Sequence, residues 1–147
     1  MTIKSPTDNN SFAFPIRVYY EDTDAGGVVY HSNYLNFFER ARTEWLRDLG
    51  YEQNDLRLKE NIIFVVRNIE IAYLKPALFN DQLIATVEII KIGRSSIEVE
   101  QQIMRQNADN EILSEGKVRV VCVDADKFRP KRIPDNIRSV VYHAKDK

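Results

Sequence analysis

Residues that often mark a metal site or a cellular compartment are scarce in this chain of 147 residues. Cys122 is the single cysteine, so no internal disulfide can form and nothing calls for an oxidising compartment. One cysteine and two histidines also argue against a zinc site. The polar residues 1–11 lack the apolar core of a signal peptide, and no apolar run reaches the roughly 18 residues of a transmembrane helix. We therefore expect a cytoplasmic protein without a transmembrane segment.

A large charge imbalance and the common nucleotide-binding motifs are missing as well. The formal net charge is −1, whereas a general nucleic-acid-binding domain carries a strongly basic face. The sequence has no Gly-x-Ser-x-Gly elbow, no Walker loop and no Gly-x-Gly-x-x-Gly. Nucleic acid is therefore not an expected partner, and serine-hydrolase, P-loop and dinucleotide-binding functions lack their motifs.

The chain does contain one strongly amphipathic helix among several strands. Apolar residues at three- to four-residue spacing from Tyr34 to Leu49 predict a helix of about 16 to 18 residues. Short turns between consecutive strands favour an antiparallel sheet with the helix packed on one face, which is an α+β architecture. Within it we predict a flexible arm over 1–11, one domain over 12–137 and a polar C-terminal tail over 138–147. The predicted strands, rich in β-branched and aromatic residues, are 12–20, 62–74, 83–92, 95–106 and 115–124.

The segment from Tyr20 to Tyr34, YEDTDAGGVVYHSNY, carries the strongest signal for chemistry. Asp22 and Asp24 precede two glycines that permit a sharp turn, and His31 lies just before the predicted helix. The first N–H groups of a helix are unpaired and lie at its positive dipole end. A carboxylate, an imidazole and free amide donors within a few residues suit acyl transfer, which needs a base or nucleophile beside an oxyanion-binding site.

The acidic turn (residues 21–27) could also bind calcium or serve only to stabilise the chain. Asp22 and Asp24 match the first and third positions of a calcium-binding loop, but Asn33 stands where that loop needs a bidentate glutamate. Alternatively, the two aspartates only cap the turn through their own side chains. Elsewhere, Cys122 lies in an apolar strand, where a thiol is more typical of the core than of a nucleophile.

The same segment resembles the 4-hydroxybenzoyl-CoA thioesterase family, and within it the Tol–Pal-associated acyl-CoA thioesterases of bacteria. The resemblance is carried by RVYYEDTDAGGVVYHSNYLNFFERARTEWL over 17–46, with support over 64–77 and 117–134. It implies a hotdog fold, in which a curved antiparallel sheet of about five strands wraps around one long central helix. It also implies homo-oligomers, with tetramers built as dimers of dimers and active sites at subunit interfaces.

For function, the resemblance implies an acyl-CoA thioester hydrolase with Asp24 as the catalytic carboxylate, acting as general base or as nucleophile. The backbone amide at His31 is the implied donor to the thioester carbonyl, and the His31 side chain is implied to be functional. No cofactor is implied, because coenzyme A is part of the substrate, and an acyl carrier protein is an alternative carrier. Tyr30, Tyr34 and Phe38 are candidates for the lining of an acyl pocket.

Two basic groups are candidates for holding the phosphates of CoA. Arg94, Ser95 and Ser96 fill a turn between two strands, where hotdog thioesterases commonly hold the nucleotide. A second cluster, near the C-terminal end, consists of Arg129, Lys131 and Arg132. A solvated, solubilising surface is the alternative role of such runs of charge.

Two further functions fit the same fold. A hotdog dehydratase relies on a histidine and a carboxylate on the helix, for which Glu39 or Glu44 is available, but the acidic turn is not the pattern of those enzymes. A scaffold protein of the cell-envelope system that only binds acyl-CoA or acyl carrier protein has no evident use for Asp24. Release of free thiol separates a hydrolase from such a binding protein.

Overall fold

One antiparallel sheet and three helices make up residues 11–107 and 109–145, the part of the chain that the computed structural model describes. The strands are β1 (Ser11–Arg17), β2 (Ile62–Tyr73), β3 (Gln82–Ile92), β4 (Ser96–Arg105) and β5 (Ile112–Asp124). The helices are α1 (Asn33–Asp48), α2 (Gln53–Glu60) and α3 (Asp135–Lys145). The strands lie in the order β1-β3-β4-β5-β2, and every neighbouring pair is antiparallel. The predicted α+β class, with five strands and one long helix, is confirmed.

Helix α1 packs against the middle of the sheet through one face, whose buried members are Tyr34, Phe37, Phe38, Ala41, Trp45 and Leu46. Gly116 of β5 lies beneath Phe38, and a Cβ at this position would be only 3.3 Å from the Phe38 ring. Glycine therefore allows helix and sheet to approach closely here. Beside it, the buried Gln101 of β4 donates to the Phe38 carbonyl at 3.0 Å and accepts from Arg42 at 2.9 Å. These contacts fix the axis of α1 and hence the place where it begins.

The two shorter helices depart from the sequence prediction. Residues 53–60, expected as a polar connector, form α2, in which Leu56 is the buried residue and Asn61 ends the helix in the left-handed conformation (φ 56°). Most of the predicted polar tail over 138–147 belongs to α3, which buries Ile137 and Val141 four residues apart. The domain therefore continues past residue 137, because this C-terminal helix packs into the same core.

The predicted arm over 1–11 lies outside the described residues up to position 10, and Ser11 opens β1. Strand β1 ends at Arg17, earlier than the predicted Tyr20, because Tyr20–Asp22 forms a turn of 3-10 helix. None of the helices in the described ranges is long and apolar enough to cross a bilayer.

Candidate active site

The acidic turn folds back on itself between β1 and α1. Thr23 pairs with Val29 in an antiparallel bridge, and inside this pair the Asp24 amide donates to the Val28 carbonyl at 2.9 Å. The Gly27 amide donates back to the Asp24 carbonyl at 3.0 Å, with Gly27 at φ 82°, a conformation that favours glycine. The glycine pair therefore closes a tight turn that presents Asp24 near its tip.

The two aspartates of the turn have different surroundings. Asp22 is buried; its carboxylate accepts from the Tyr19 amide at 2.8 Å and from the Asn33 side-chain amide at 2.7 Å. Asp24 is exposed, and its Oδ1 accepts from the Gly26 amide at 2.8 Å. Within 11–107 and 109–145, the second oxygen of Asp24 has no hydrogen-bond donor. The capping role therefore accounts for Asp22, whereas Asp24 keeps a carboxylate oxygen open to solvent.

The start of α1 offers unpaired backbone donors next to this turn. The amides of Asn33, Tyr34 and Leu35 donate to carbonyls three residues earlier. The His31 and Ser32 amides have no acceptor within the described part of the chain, and Ser32 precedes α1 without a side-chain cap. Free amides at a helix N-terminus bind negative charge well.

The His31 side chain is exposed and lies among tyrosines. Its ring centroid is 4.5 Å from that of Tyr30 and 6.2 Å from that of Tyr73. The Tyr73 hydroxyl also donates to the His31 carbonyl at 3.1 Å, which orients the peptide group entering the helix. No hydrogen bond joins the His31 and Asp24 side chains in the described ranges, although both lie on the same short stretch of chain.

The connecting segment between β2 and β3, residues 74–81, supports both the turn and the helix start. The Val29 amide donates to the Ala77 carbonyl at 2.9 Å, and Val28 pairs with Leu78. In return, the Ala77 amide donates to the Tyr34 hydroxyl at 3.0 Å. Burial raises the pKa of this tyrosine phenol. This support could not be foreseen from the sequence, because it depends on contacts between residues more than 40 positions apart.

The two predicted basic groups form one surface, here called the carrier cluster: Arg94, Ser95, Ser96, Arg129 and Lys131. The Ser95 carbonyl accepts from the Cys122 amide at 2.7 Å, and the Cys122 carbonyl accepts from the Lys131 amide at 2.9 Å. The Ile133 amide donates to the Arg94 carbonyl at 3.0 Å, so the C-terminal segment runs beside the β3–β4 turn. The three cationic side chains of the cluster are exposed, and none forms an ion pair within the described residues. The neighbouring Arg132, in contrast, pairs with Asp135.

A family model described as the thioesterase-like superfamily matches residues 18–141, which include the acidic turn, helix α1 and the carrier cluster. The chain belongs to the thioesterase-like superfamily. The resemblance inferred from residues 17–46 is thereby confirmed at the level of the family.

Two relatives and one solved structure align with most of this thioesterase-like protein. It is 44% identical to the acyl-CoA thioesterase YbgC of Haemophilus influenzae over 137 residues, which are 93% of this chain and 98% of that protein. It is 47% identical to the acyl-CoA thioester hydrolase YbgC of Escherichia coli O6:H1 over 126 residues, 86% of this chain and 92% of the relative. The crystal structure of a probable thioesterase from Bartonella henselae superposes with a TM-score of 0.78 at 36% identity, covering 83% of this chain and 98% of that one. The hotdog fold is thus confirmed.

Within a single chain of this thioesterase-like protein, the acidic turn and the carrier cluster lie at opposite ends of the sheet. The turn contacts Leu78, just before β3, and the cluster begins at Arg94, just after it. Strand β3 has 11 residues, and a rise of about 3.3 Å per residue puts its ends roughly 35 Å apart. The structure therefore unites the two basic groups with each other but does not bring them to Asp24 and His31 of the same chain.

Of the three candidates for an acyl-pocket lining, Tyr34 and Phe38 are core residues and only Tyr30 is exposed. A cavity of about 130 Å³ lies instead between α1 and the β5–β2 side of the sheet. Its apolar lining consists of Trp45, Leu46, Phe64, Val66, Ile97, Val99 and Val120. Arg42 and Glu39 also line it. The sequence signal for it is the apolar run at the start of β2, the strand that pairs with β5 and forms one edge of the sheet.

Proposed function

We propose that this protein hydrolyses acyl-CoA thioesters to a free acid and CoA. One observation carries the proposal: the exposed Asp24 carboxylate, with one open oxygen, and the unpaired amides of His31 and Ser32 lie on the same short stretch of chain just before helix α1. The names of the YbgC relatives point to the same reaction. The fold alone would not carry it, because one fold serves many reactions.

In the proposed reaction, the thioester carbonyl lies against the unpaired amides at the start of α1. Attack on the carbonyl carbon places negative charge on its oxygen, which these N–H groups and the helix dipole stabilise. Asp24 either takes a proton from the attacking water or attacks the carbon itself to give a mixed anhydride that water then opens. The C–S bond breaks, and the thiolate leaves as CoA after it gains a proton. His31, beside the same amides, orients the water or supplies that proton.

We further propose that the carrier cluster holds the phosphates of CoA. Arg94, Arg129 and Lys131 are exposed and have no carboxylate partner in the described ranges, so their charge is available to a ligand. Guanidinium and ammonium groups both bind phosphate. Because the cluster and Asp24 lie at opposite ends of β3, we assign the cluster of one subunit to the acidic turn of another.

This assignment requires an oligomer, and strand β2 offers an edge for one. β2 is 12 residues long and pairs with β5 on one side, while its other side is the edge of the sheet. Val66 and Tyr73 of this strand are about half exposed. A long, partly apolar edge is a liability in a monomer and favours pairing with another strand. We propose a dimer through β2 and, from the family resemblance, a tetramer built from two such dimers. We also propose that the protein is cytoplasmic and that it is associated with the Tol–Pal system.

The test is release of free thiol from a panel of acyl-CoAs, from acetyl to palmitoyl, with the wild type and Asp24→Asn measured side by side. We expect the wild type to hydrolyse at least one member and kcat of the variant to fall roughly a hundredfold or more, the scale of losing an acid–base group. Glu21→Gln is the matched control, because Glu21 is an exposed carboxylate of the same turn. Its rate should stay close to that of the wild type.

Two results would contradict this function. Equal rates for Asp24→Asn and the wild type would remove Asp24 from the reaction. A folded wild type that binds acyl-CoA and releases no thiol from any acyl-CoA or acyl carrier protein would be a binding protein.

A further inference from the structure

The connecting segment (74–81) is mostly exposed and is held at its two ends by backbone hydrogen bonds, to β5 at one end and to Val18 at the other. It follows β2, and its first two amides, of Leu74 and Lys75, both donate to the Leu113 carbonyl. Most of its residues are exposed, except that Ala77 is buried and Asp81 is partly buried. Yet Ala77 and Leu78 are the residues that contact the acidic turn and Tyr34. Whatever fixes this segment therefore also fixes the candidate active site.

Arg105, the last residue of β4, joins the two ends of the segment. Its Nε donates to the Asp81 carboxylate at 3.0 Å, and one terminal nitrogen donates to the Pro76 carbonyl at 2.8 Å. Its other terminal nitrogen pairs with Glu111, which Lys75 also contacts at 2.8 Å. Side-chain exposure is only 22% for Arg105 and 19% for Asp81, so their ion pair is largely shielded from water.

Asp81 extends this network into the segment itself. The carboxylate oxygen that accepts from Arg105 also accepts from the Leu78 amide at 2.8 Å. A guanidinium suits this place because its planar fork donates in several fixed directions at once, whereas a lysine is a single point charge. The Arg105 backbone is anchored as well, because its amide donates to the Glu111 carbonyl at 2.8 Å.

We propose that Arg105 is a positioning residue for the acyl-transfer site, acting through Pro76, Asp81 and the connecting segment on the acidic turn and the start of α1. The proposal rests on the function proposed above. It places Arg105 outside direct contact with substrate. Loss of Arg105 should therefore lower kcat and leave KM nearly unchanged, because the carrier cluster lies at the other end of β3.

The experiment compares Arg105→Met and Arg105→Lys with a control, Arg47→Met. Arg47 also pairs with two carboxylates, Glu44 and Glu52, but these contacts join α1 to the start of α2 and do not involve the connecting segment. For Arg105→Met we expect kcat to fall roughly ten- to a hundredfold, with KM changed less than about threefold, because small displacements of reacting groups are costly. Arg105→Lys should lie between this variant and the wild type, and Arg47→Met should match the wild type.

Amide hydrogen exchange gives a second measurement that does not need turnover. The Val29 and Ala77 amides report the two contacts through which the segment supports the site. We expect both to exchange faster in Arg105→Met, and in Arg105→Lys to a smaller degree, but not in Arg47→Met. Should Arg105→Met fail to fold, Arg105→Lys and Asp81→Asn carry the comparison.

Unchanged kcat and unchanged exchange of these amides in the folded Arg105 variants would overturn the proposal. So would a loss of kcat that equals the loss of folded protein measured by circular dichroism. A wild type that hydrolyses no thioester would instead overturn the proposed function, and the exchange data alone would then decide whether Arg105 positions the segment.

Discussion

Asp22 and Asp24 lie two positions apart in the acidic turn and differ in what their oxygens contact. Replacing Asp22 by alanine leaves the Tyr19 amide and the Asn33 side chain without an acceptor in a partly buried place. Each such group costs about 1–3 kcal/mol, so we expect the free energy of unfolding in urea to fall by about 2 kcal/mol or more. Asp24→Ala is the control and should change stability by less than about 1 kcal/mol, because Asp24 is exposed. Equal losses for the two variants would contradict this division of roles.

Cys122 gives a pH dependence that can be measured directly. Its thiol is fully buried in β5, and burial raises its pKa to about 11. In the unfolded chain the pKa of the thiol is about 8.5, so above that pH the folded state binds more protons than the unfolded state. Stability must therefore fall as pH rises, by up to about 1.4 kcal/mol per pH unit between the two pKa values. The protonated thiol at neutral pH fits a core residue and not a nucleophile.

The check on Cys122 is urea unfolding of the wild type and Cys122→Ala at pH 8 and pH 10. Between these pH values the wild type should lose about 1–2 kcal/mol more than the variant. The comparison of the two proteins removes the contributions of other groups, including the Tyr34 phenol, whose pKa is also raised. The same loss in both proteins would show that the Cys122 thiol ionises equally easily in the folded state.

At the residue scale, the sequence predicted what is local in the candidate site and missed what is distant. Asp24, the glycine pair and His31 fall within eight positions, so their spacing alone indicated a turn before a helix. Their catalytic and binding roles stay a prediction. Arg105 and Ala77 could not be found in this way, because the contacts that link Arg105 to the connecting segment and Ala77 to the site join residues 24 to 48 positions apart and depend on the order of the strands.

At the scale of elements, a helix could be predicted only where the spacing of its apolar residues repeats over several turns. Helix α1 has 16 residues and six buried ones, and its apolar spacing repeats over four turns. Helix α2 has eight residues and one buried one, so it shows no repeating stripe. Helix α3 buries Ile137 and Val141, but it is short and its other residues are mostly polar or charged, which masked the spacing. Strand β5 begins at Ile112, before the predicted 115, because β4 pairs with it as far as Ile112 and β2 as far as Ser114.

At the scale of the whole molecule, the separation of Asp24 from the carrier cluster is the main constraint. The register of β3 with β4 keeps the two regions at opposite ends, since Leu83 pairs with Arg105 and Ile92 pairs with Ile97. No small movement of a loop can bring ends of an 11-residue strand together. A substrate that contacts both regions must therefore use two subunits or span the length of the sheet.

Mixed oligomers distinguish these two arrangements. One partner carries Asp24→Asn, and the other carries Arg94→Glu with Lys131→Glu; each alone should form oligomers with little activity. If the carrier cluster serves a neighbouring subunit, each mixed dimer regains one site with an intact Asp24 and an intact cluster. Random equimolar assembly then restores about a quarter of the wild-type sites, because half of the dimers are mixed and half of their sites are intact.

The matched control for this experiment mixes Asp24→Asn with His31→Ala. Both residues lie on the same stretch of one chain, so no mixed dimer contains a stretch on which both are intact. Free-thiol release from the co-expressed proteins, purified without separating the mixed and unmixed oligomers, measures the outcome. Recovery with the carrier-cluster partner and none with the His31 partner supports a site shared between subunits. No recovery in either mixture means that the cluster acts on its own chain, and full activity of the Arg94→Glu, Lys131→Glu variant alone means that the cluster does not act at all; either result makes the cross-subunit assignment fail.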